Sequence, residues 1–167
     1  MRVLLLLVNT LTNIIALLTG GIFYIDYKLS WKYKVLILVL PTKYLPSGSM
    51  CLPDLLGGMI LLEDKIIMQN DEITNFIILH EKGHCRCWEA MPNYTNTSAH
   101  PHHGETTAEF EYAADLYAVT HGADIHVVIK SFLDDYDYMC KHGEAFEFQN
   151  YSKEDALHRA LRLQQMM

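Results

Sequence analysis

Basic residues are scarce in this chain of 167 residues. Lysine and arginine together number 13 against 20 aspartates and glutamates, which gives a formal net charge of −7 with histidine neutral. Proteins that bind nucleic acid need a basic surface to attract phosphate groups. The composition therefore argues against a nucleic-acid partner, while the length is sufficient for one domain with a hydrophobic core.

Cysteine is also sparse, because the sequence contains only four. Four cysteines in a chain of this length do not form the dense disulfide framework of a small secreted domain. Cys85 and Cys87 lie on either side of one arginine, directly after a histidine. We interpret each as a buried thiol, and a metal ligand is the alternative interpretation.

Charged residues are absent from Val3 to Ile25. This run of 23 residues is longer than the roughly 20 that span a bilayer as a helix. We predict that residues 1–27 are a membrane anchor that associates with the bilayer through residues 3–25. A cleaved signal peptide and a buried core helix are the alternative interpretations of the same run.

Three lysines follow this run: Lys28, Lys32 and Lys34. They slightly outnumber the positive charges in front of it, and the positive-inside rule then places the rest of the chain in the cytoplasm. A soluble cytoplasmic protein is the alternative localisation.

A His-Glu-x-x-His pattern lies near the middle of the chain, at His80, Glu81 and His84. Residues four apart share one face of a helix, so the two histidines can bind one metal ion. Glu81 can reach the space beside that ion, where a carboxylate accepts a proton from metal-bound water. A chance match on an ordinary amphipathic helix is the alternative interpretation, but apolar residues at helical spacing predict a helix over 71–88.

A second predicted helix, over about 107–121, offers the third protein ligand that a catalytic zinc ion needs. Glu111 and Asp115 lie one turn apart on the same face of this helix. We predict that Glu111 binds the metal and that Asp115 accepts a hydrogen bond from one of the two histidines. Glu109 is the alternative ligand, and two solvated acids on a surface helix are the alternative interpretation of the pair.

The remaining patterns predict a strand over 31–40, a proline-containing loop from Pro41 to Pro53, a strand over 59–63, and helices over about 125–140 and 153–166. A polar loop carries three more histidines, which we interpret as solvated or, alternatively, as a second metal site: His100, His102 and His103.

The two metal-site helices resemble those of the gluzincin metallopeptidases, most closely the HtpX-type and CAAX-prenyl-type membrane peptidases and their small soluble relatives. The shared pattern is His-Glu-x-x-His followed by Glu-x-x-Ala-Asp. It is matched here by His80, Glu81, His84, Glu111, Ala114 and Asp115. The resemblance covers about residues 58–140 and implies a zinc-dependent peptidase core. It also implies that residues 59–63 are an edge strand beside the cleft, which could pair with an extended substrate.

One part of the family pattern has no clear counterpart, namely its late His-Pro and arginine segment. The register places Ala156 where the family has its arginine. Tyr117, His121 and His158 are our candidates for stabilising a transition state. His158 and Arg159 lie on the predicted last helix, and a solvated position is the more ordinary interpretation of both.

We therefore expect an α+β, helix-rich, minimal gluzincin core over 28–167, with a small β-sheet beside the active-site helix. It is expected to be a zinc metalloendopeptidase that hydrolyses a protein or peptide substrate. Zinc held by His80, His84 and Glu111 activates a water, and Glu81 is the general base. The alternative is a non-catalytic, zinc-stabilised module that binds a protein or acts as a sensor, with the fourth zinc position closed by a cysteine or a loop histidine.

Overall fold

A four-stranded sheet and a group of long helices occupy different parts of the chain. A computed structural model describes residues 10, 24–44, 49–52, 58–68, 70–90, 106–143 and 152–167. The chain divides into two compact units, residues 1–70 and residues 71–167. All strands of the described residues lie in the first unit and the long helices lie in the second, so the predicted α+β class is confirmed. The predicted boundary between residues 27 and 28 falls inside the first unit.

The sheet of the first unit has the strand order β1-β2-β4-β3. Strands β2 and β4 are parallel, while β1 pairs with β2 and β3 pairs with β4 in antiparallel fashion. The side chains of Ile37 and Val39 are fully buried opposite Ile60 and Leu62, because alternate residues of a strand face the same side. The four strands are β1 Tyr24–Ile25, β2 Leu36–Leu40, β3 Ser49–Leu52 and β4 Met59–Glu63.

Strand β4 is an interior strand, so the prediction that residues 59–63 form a sheet edge is wrong. Strand β2 pairs with one side of β4 and β3 pairs with the other. The prediction that residues 49–52 belong to a proline-containing loop is also wrong, because Pro46 and Pro53 lie outside the four residues of β3. A proline outside a strand does not remove a ladder hydrogen bond, so the short segment pairs normally.

The predicted strand over 31–40 begins too early, because its first three residues belong to helix α1, Tyr27–Tyr33. Asp26 caps this helix by accepting a hydrogen bond from the Leu29 N–H group at 2.9 Å. Lys34 has a left-handed φ of 54° and ends it. The strand proper is β2, and a short helix α2, Asp64–Ile67, follows β4.

The predicted membrane anchor lies mostly outside the described residues, and the last two residues of its uncharged run, Tyr24 and Ile25, form strand β1. No helix in the described part of the chain is both long enough and apolar enough to cross a bilayer. Association through residues 3–25 remains a prediction from the sequence. The polar loop with His100, His102 and His103 also lies outside the described residues.

The second unit contains four helices, each at the place that the sequence predicts. Asp124 caps the third of them by accepting hydrogen bonds from the N–H groups of His126 and Val127. Ser152 and Asp155 form a capping box at the start of the fourth. The helices are α3 Asp71–Ala90, α4 Thr106–Thr120, α5 Ile125–His142 and α6 Lys153–Gln164.

Helices α3 and α4 approach each other closely at Gly83. A Cβ atom on this glycine would lie 2.9 Å from the Cα of Ala114 and 3.1 Å from the Cβ of Tyr117. These distances are shorter than side chains tolerate, so only glycine allows the two backbones to come this near. Ala114 and Ala118 are fully buried in the same region. The helix that carries the histidines is therefore held directly against the helix that carries the acids.

Candidate metal centre

Three side chains of the second unit bring metal-binding atoms together: His80 and His84 of α3 and Glu111 of α4. The Nε2 atoms of the two histidines lie 2.9 Å apart. The Nε2 atom of His80 lies 3.2 Å from Oε2 of Glu111, and that of His84 lies 3.3 Å from Oε1. This is the triad of ligands that the sequence predicts.

The spacing of these atoms is suitable for a zinc ion. Zinc binds histidine nitrogen and carboxylate oxygen at about 2.0–2.2 Å in tetrahedral geometry, which puts neighbouring ligand atoms about 3.3 Å apart. The two nitrogens lie 2.9 Å apart, and each lies 3.2 or 3.3 Å from a different oxygen of Glu111, so the two imidazoles and the carboxylate can surround one ion. Two imidazoles and one carboxylate also form a donor set that catalytic zinc sites use.

The other ring nitrogen of His80 is held by Asp115. The Nδ1–H group of His80 donates to Oδ1 of Asp115 at 2.8 Å, and the Asp115 side chain is completely buried. If Nδ1 keeps its proton and Nε2 loses its own to a metal, the lone pair of Nε2 is directed at the cluster, which is the tautomer that a metal ligand needs. Asp115 occupies the position that the sequence predicts, and the partner histidine is His80.

Arg159 of helix α6 also belongs to this cluster. Its Nε atom donates to Oδ2 of Asp115 at 2.7 Å, and its Nη2 atom donates to Oδ1 at 2.6 Å. Its Nη1 atom lies 3.3 Å from Oε2 of Glu111, and its side chain is only 16% exposed. The interpretation of Arg159 as a solvated residue is therefore wrong, because Asp115 and Glu111 provide a buried guanidinium with partners for its charge.

The charged groups of the cluster shift one another's pKa values in the metal-free protein. Burial lowers the pKa of His80, but the carboxylates of Asp115 and Glu111 outweigh burial and raise it to about 10. Burial raises the pKa of Glu111, but hydrogen bonds from the two histidines and the charge of Arg159 hold it well below its usual range. Burial also opposes ionisation of Asp115, whose pKa is lowered by Arg159 and His80. Both carboxylates are thus kept ionised, as metal binding and histidine orientation require.

His84 is fixed differently from His80. Its ring stacks on Phe110, with centroids 5.3 Å apart and planes 17° from parallel. Its Nδ1 atom is buried and has no hydrogen-bond partner among the described residues. The orientation of this ring therefore depends on packing, together with the contacts that its Nε2 atom makes inside the cluster.

The remaining predicted site residues fall in three groups. Glu81, the predicted general base, is buried on α3 next to His80, with 7% exposure. Tyr117 and His121 stack on each other at the end of α4, with centroids 3.8 Å apart. His121 is exposed there, and His158 is exposed on α6. These positions do not test the predicted roles in stabilising a transition state.

The alternative metal ligands are less well placed or lie outside the described residues. Cys85 is buried and disulfide-bonded, so its sulfur is not available as a thiolate ligand and the prediction of a free buried thiol is wrong. The side chains of Cys87 and Glu109 are outside the described part of the structure. Only His80, His84 and Glu111 form a group of potential ligands in the part of the chain that the structure describes.

Comparisons with known proteins leave the family open. No protein-family model, no curated protein and no solved structure matches the chain. Membership of the gluzincins therefore remains a prediction from the motif residues.

Proposed function

We propose that the chain is a zinc-dependent metalloendopeptidase in which His80, His84 and Glu111 hold the metal and Glu81 is the general base. The observation that carries this proposal is the convergence of His80, His84 and Glu111, whose potential ligand atoms lie within 4.8 Å of one another, with Asp115 on the far nitrogen of His80. Zinc peptidases are built from this combination of two histidines four apart, a carboxylate ligand and a glutamate beside the first histidine.

Each residue of the site has a different role in the proposed hydrolysis. A zinc ion held by His80, His84 and Glu111 would supply a Lewis acid and would lower the pKa of a bound water to about 7. Glu81 accepts the proton of the attacking water and delivers it to the leaving amine. Asp115 keeps the proton of His80 on Nδ1, so that Nε2 stays available as a ligand.

The second candidate function is a zinc-stabilised module that binds a protein without hydrolysing it. Structural zinc sites generally have four protein ligands, whereas catalytic sites keep one position open for water. The ligand group of the described residues has three members, and the sulfur of Cys85 is engaged in a disulfide. The disulfide removes Cys85 as the fourth ligand that this candidate needs, which favours the catalytic candidate.

The substitution Glu81→Gln tests the proposed chemistry. An amide cannot accept the proton, so we expect hydrolysis to fall by about 10²–10⁴-fold. Zinc content should stay at one ion per chain, because no ligand is removed. Glu72→Gln is the matched control, since it removes the same charge from the exposed first turn of the same helix. Activity is measured on casein and on a peptide library, with zinc measured on the same samples.

Two results would count against the proposal. Unchanged hydrolysis by Glu81→Gln would remove Glu81 from the mechanism. A wild-type protein that binds zinc stoichiometrically and cleaves no member of a broad peptide library would favour the non-catalytic module instead.

A further inference from the structure

We propose that Arg159 is a positioning residue of the metal centre, which fixes the carboxylates of Asp115 and Glu111 and thereby makes helix α6 part of the site. The proposal rests on the metal centre described above. It predicts that the last helix controls how tightly the protein holds its metal, although none of the three ligands lies on that helix.

The contact between Arg159 and Asp115 has the geometry that fixes a carboxylate most firmly. Two nitrogen atoms of the guanidinium donate to the two oxygens of Asp115, at 2.6 and 2.7 Å. Such a planar, bidentate pair sets the rotation of the carboxylate as well as its position. Oδ1 of Asp115 is then held where Nδ1 of His80 reaches it at 2.8 Å. Arg159 therefore orients His80 through Asp115.

A second contact connects Arg159 to a metal ligand. The Nη1 atom lies 3.3 Å from Oε2 of Glu111, the oxygen that is also 3.2 Å from Nε2 of His80. One guanidinium thus contacts both acids of α4. Without it, Asp115 would be a completely buried carboxylate with only the imidazole of His80 beside it in the described cluster, and an unpaired buried charge is costly.

Packing holds the guanidinium in this position. The Cζ atom of Arg159 lies 4.4 Å from the ring centroid of Phe132 on α5. The Phe132 ring makes an edge contact with Phe76, which in turn lies 5.7 Å from the ring of His80. On α6 itself, Ala156, Ala160 and Leu163 are fully buried around Arg159. The helix is therefore docked by an apolar face, and its arginine is fixed on an aromatic support.

Arg159 can change metal affinity in two opposite ways, so the direction of the change in a variant tests the proposal. A guanidinium beside a metal site repels a divalent cation, so removing it would tighten binding if its charge acted directly. A guanidinium that orients the acids improves binding, so removing it would weaken binding. The bidentate contact and the burial predict that orientation is the larger effect.

The first experiment measures zinc affinity by competition with a chromophoric chelator in the full chain. We expect Arg159→Gln to weaken binding by about 10- to 100-fold, the usual cost of losing a group that orients a metal ligand. Arg159→Lys, which keeps the charge but loses the planar fork, should fall between this variant and the wild type. Arg162→Gln is the matched control, because this arginine of the same helix lies over the ring of Tyr112. The zinc affinity of Arg162→Gln should stay within about twofold of that of the wild type.

A double-mutant cycle separates a positioning role from a general structural one. If Arg159 acts through Asp115, the double variant Arg159→Gln/Asp115→Asn should bind zinc only slightly more weakly than Asp115→Asn alone. A merely structural role for Arg159 predicts losses that multiply. Cobalt substitution gives a second signature, because a changed ligand geometry shifts the visible absorption of bound Co²⁺ in Arg159→Gln but not in Arg162→Gln.

Several outcomes would overturn the inference. Wild-type or tighter zinc binding by Arg159→Gln would show that orientation is not its role. Should that variant fail to fold, unchanged affinity in Arg159→Lys would overturn the inference equally. A wild type that binds no zinc would contradict the metal centre and this inference together. A wild type that binds zinc but hydrolyses nothing would contradict only the peptidase function.

Discussion

The two histidines of the metal-binding motif are equivalent in the sequence pattern but not in their surroundings. On the His80 side, Asp115 holds the far ring nitrogen and Arg159 holds Asp115, so three helices contribute to the orientation of one imidazole. On the His84 side, the ring stacks on Phe110 and its Nδ1 atom has no hydrogen-bond partner among the described residues. One proposed ligand is anchored by charge and hydrogen bonds, and the other by packing.

This difference predicts which of the two sides contributes more to metal affinity. A hydrogen-bonded carboxylate fixes both the tautomer and the ring orientation of a histidine, whereas stacking fixes only the plane of the ring. Changes on the His80 side should therefore affect metal binding more than changes on the His84 side. The variants below test that order, and each is compared with the same wild-type zinc affinity.

The largest effect is expected from the ligand that faces both histidines. Glu111→Ala removes one of three ligands, so the site should be empty at ordinary zinc concentrations. Asp115→Ala keeps all three ligands and should weaken zinc binding by about 10- to 100-fold. Titration of both variants against a competing chelator measures the two losses. A metal-free Asp115→Ala variant beside a merely weakened Glu111→Ala variant would exchange the roles that we assign to the two acids.

The sequence predicts most of this site because its geometry is local. A spacing of four residues places His80 and His84 on one helical face, and the same spacing places Glu111 and Asp115 on another. The helix caps at Asp124 and Ser152 are local signals as well, and the helices predicted over about 125–140 and 153–166 begin directly after them. Features that depend only on residues close together in the sequence, such as helical faces and helix caps, are therefore predicted well.

The features that the sequence does not predict depend on contacts between distant segments. Arg159 follows Asp115 by 44 residues, and only the docking of α6 brings the two together. A lone arginine on a terminal helix does not indicate this partner. The helical spacing of Ala156, Ala160 and Leu163, which are all buried, is the sequence signal that Arg159 lies beside the buried face of the helix. The sequence does not predict strand β3 for a similar reason, because this short segment is recognised as a strand by its pairing with β4.

The proton balance of zinc binding provides a second test of the His80 side. The pKa of His80 is raised to about 10 in the metal-free protein, so its ring is protonated at neutral pH. Metal binding needs a free nitrogen lone pair, and zinc must therefore displace one proton. Apparent affinity should rise by about tenfold per pH unit above neutrality until pH approaches this pKa.

Calorimetry in two buffers with different ionisation enthalpies measures the released proton directly. At pH 7.5 we expect about one proton from His80 per zinc bound to the wild type. Asp115→Asn removes a charge that raises the pKa of His80, so fewer protons should be released at the same pH. Equal proton release by the two proteins would show that Asp115 does not control the protonation of His80.

The smallest effect is expected on the His84 side, from Phe110→Leu. Leucine keeps an apolar contact but loses the stacked ring, and aromatic pairs contribute about 0.5–1.5 kcal/mol beyond burial. Zinc affinity should therefore fall by about two- to tenfold, less than in Asp115→Ala. Tyr112→Leu is the matched control, because this aromatic residue of the same helix packs under Arg162. A loss in Phe110→Leu as large as that in Asp115→Ala would mean that stacking orients His84 as firmly as Asp115 orients His80, and the asymmetry between the two ligands would disappear.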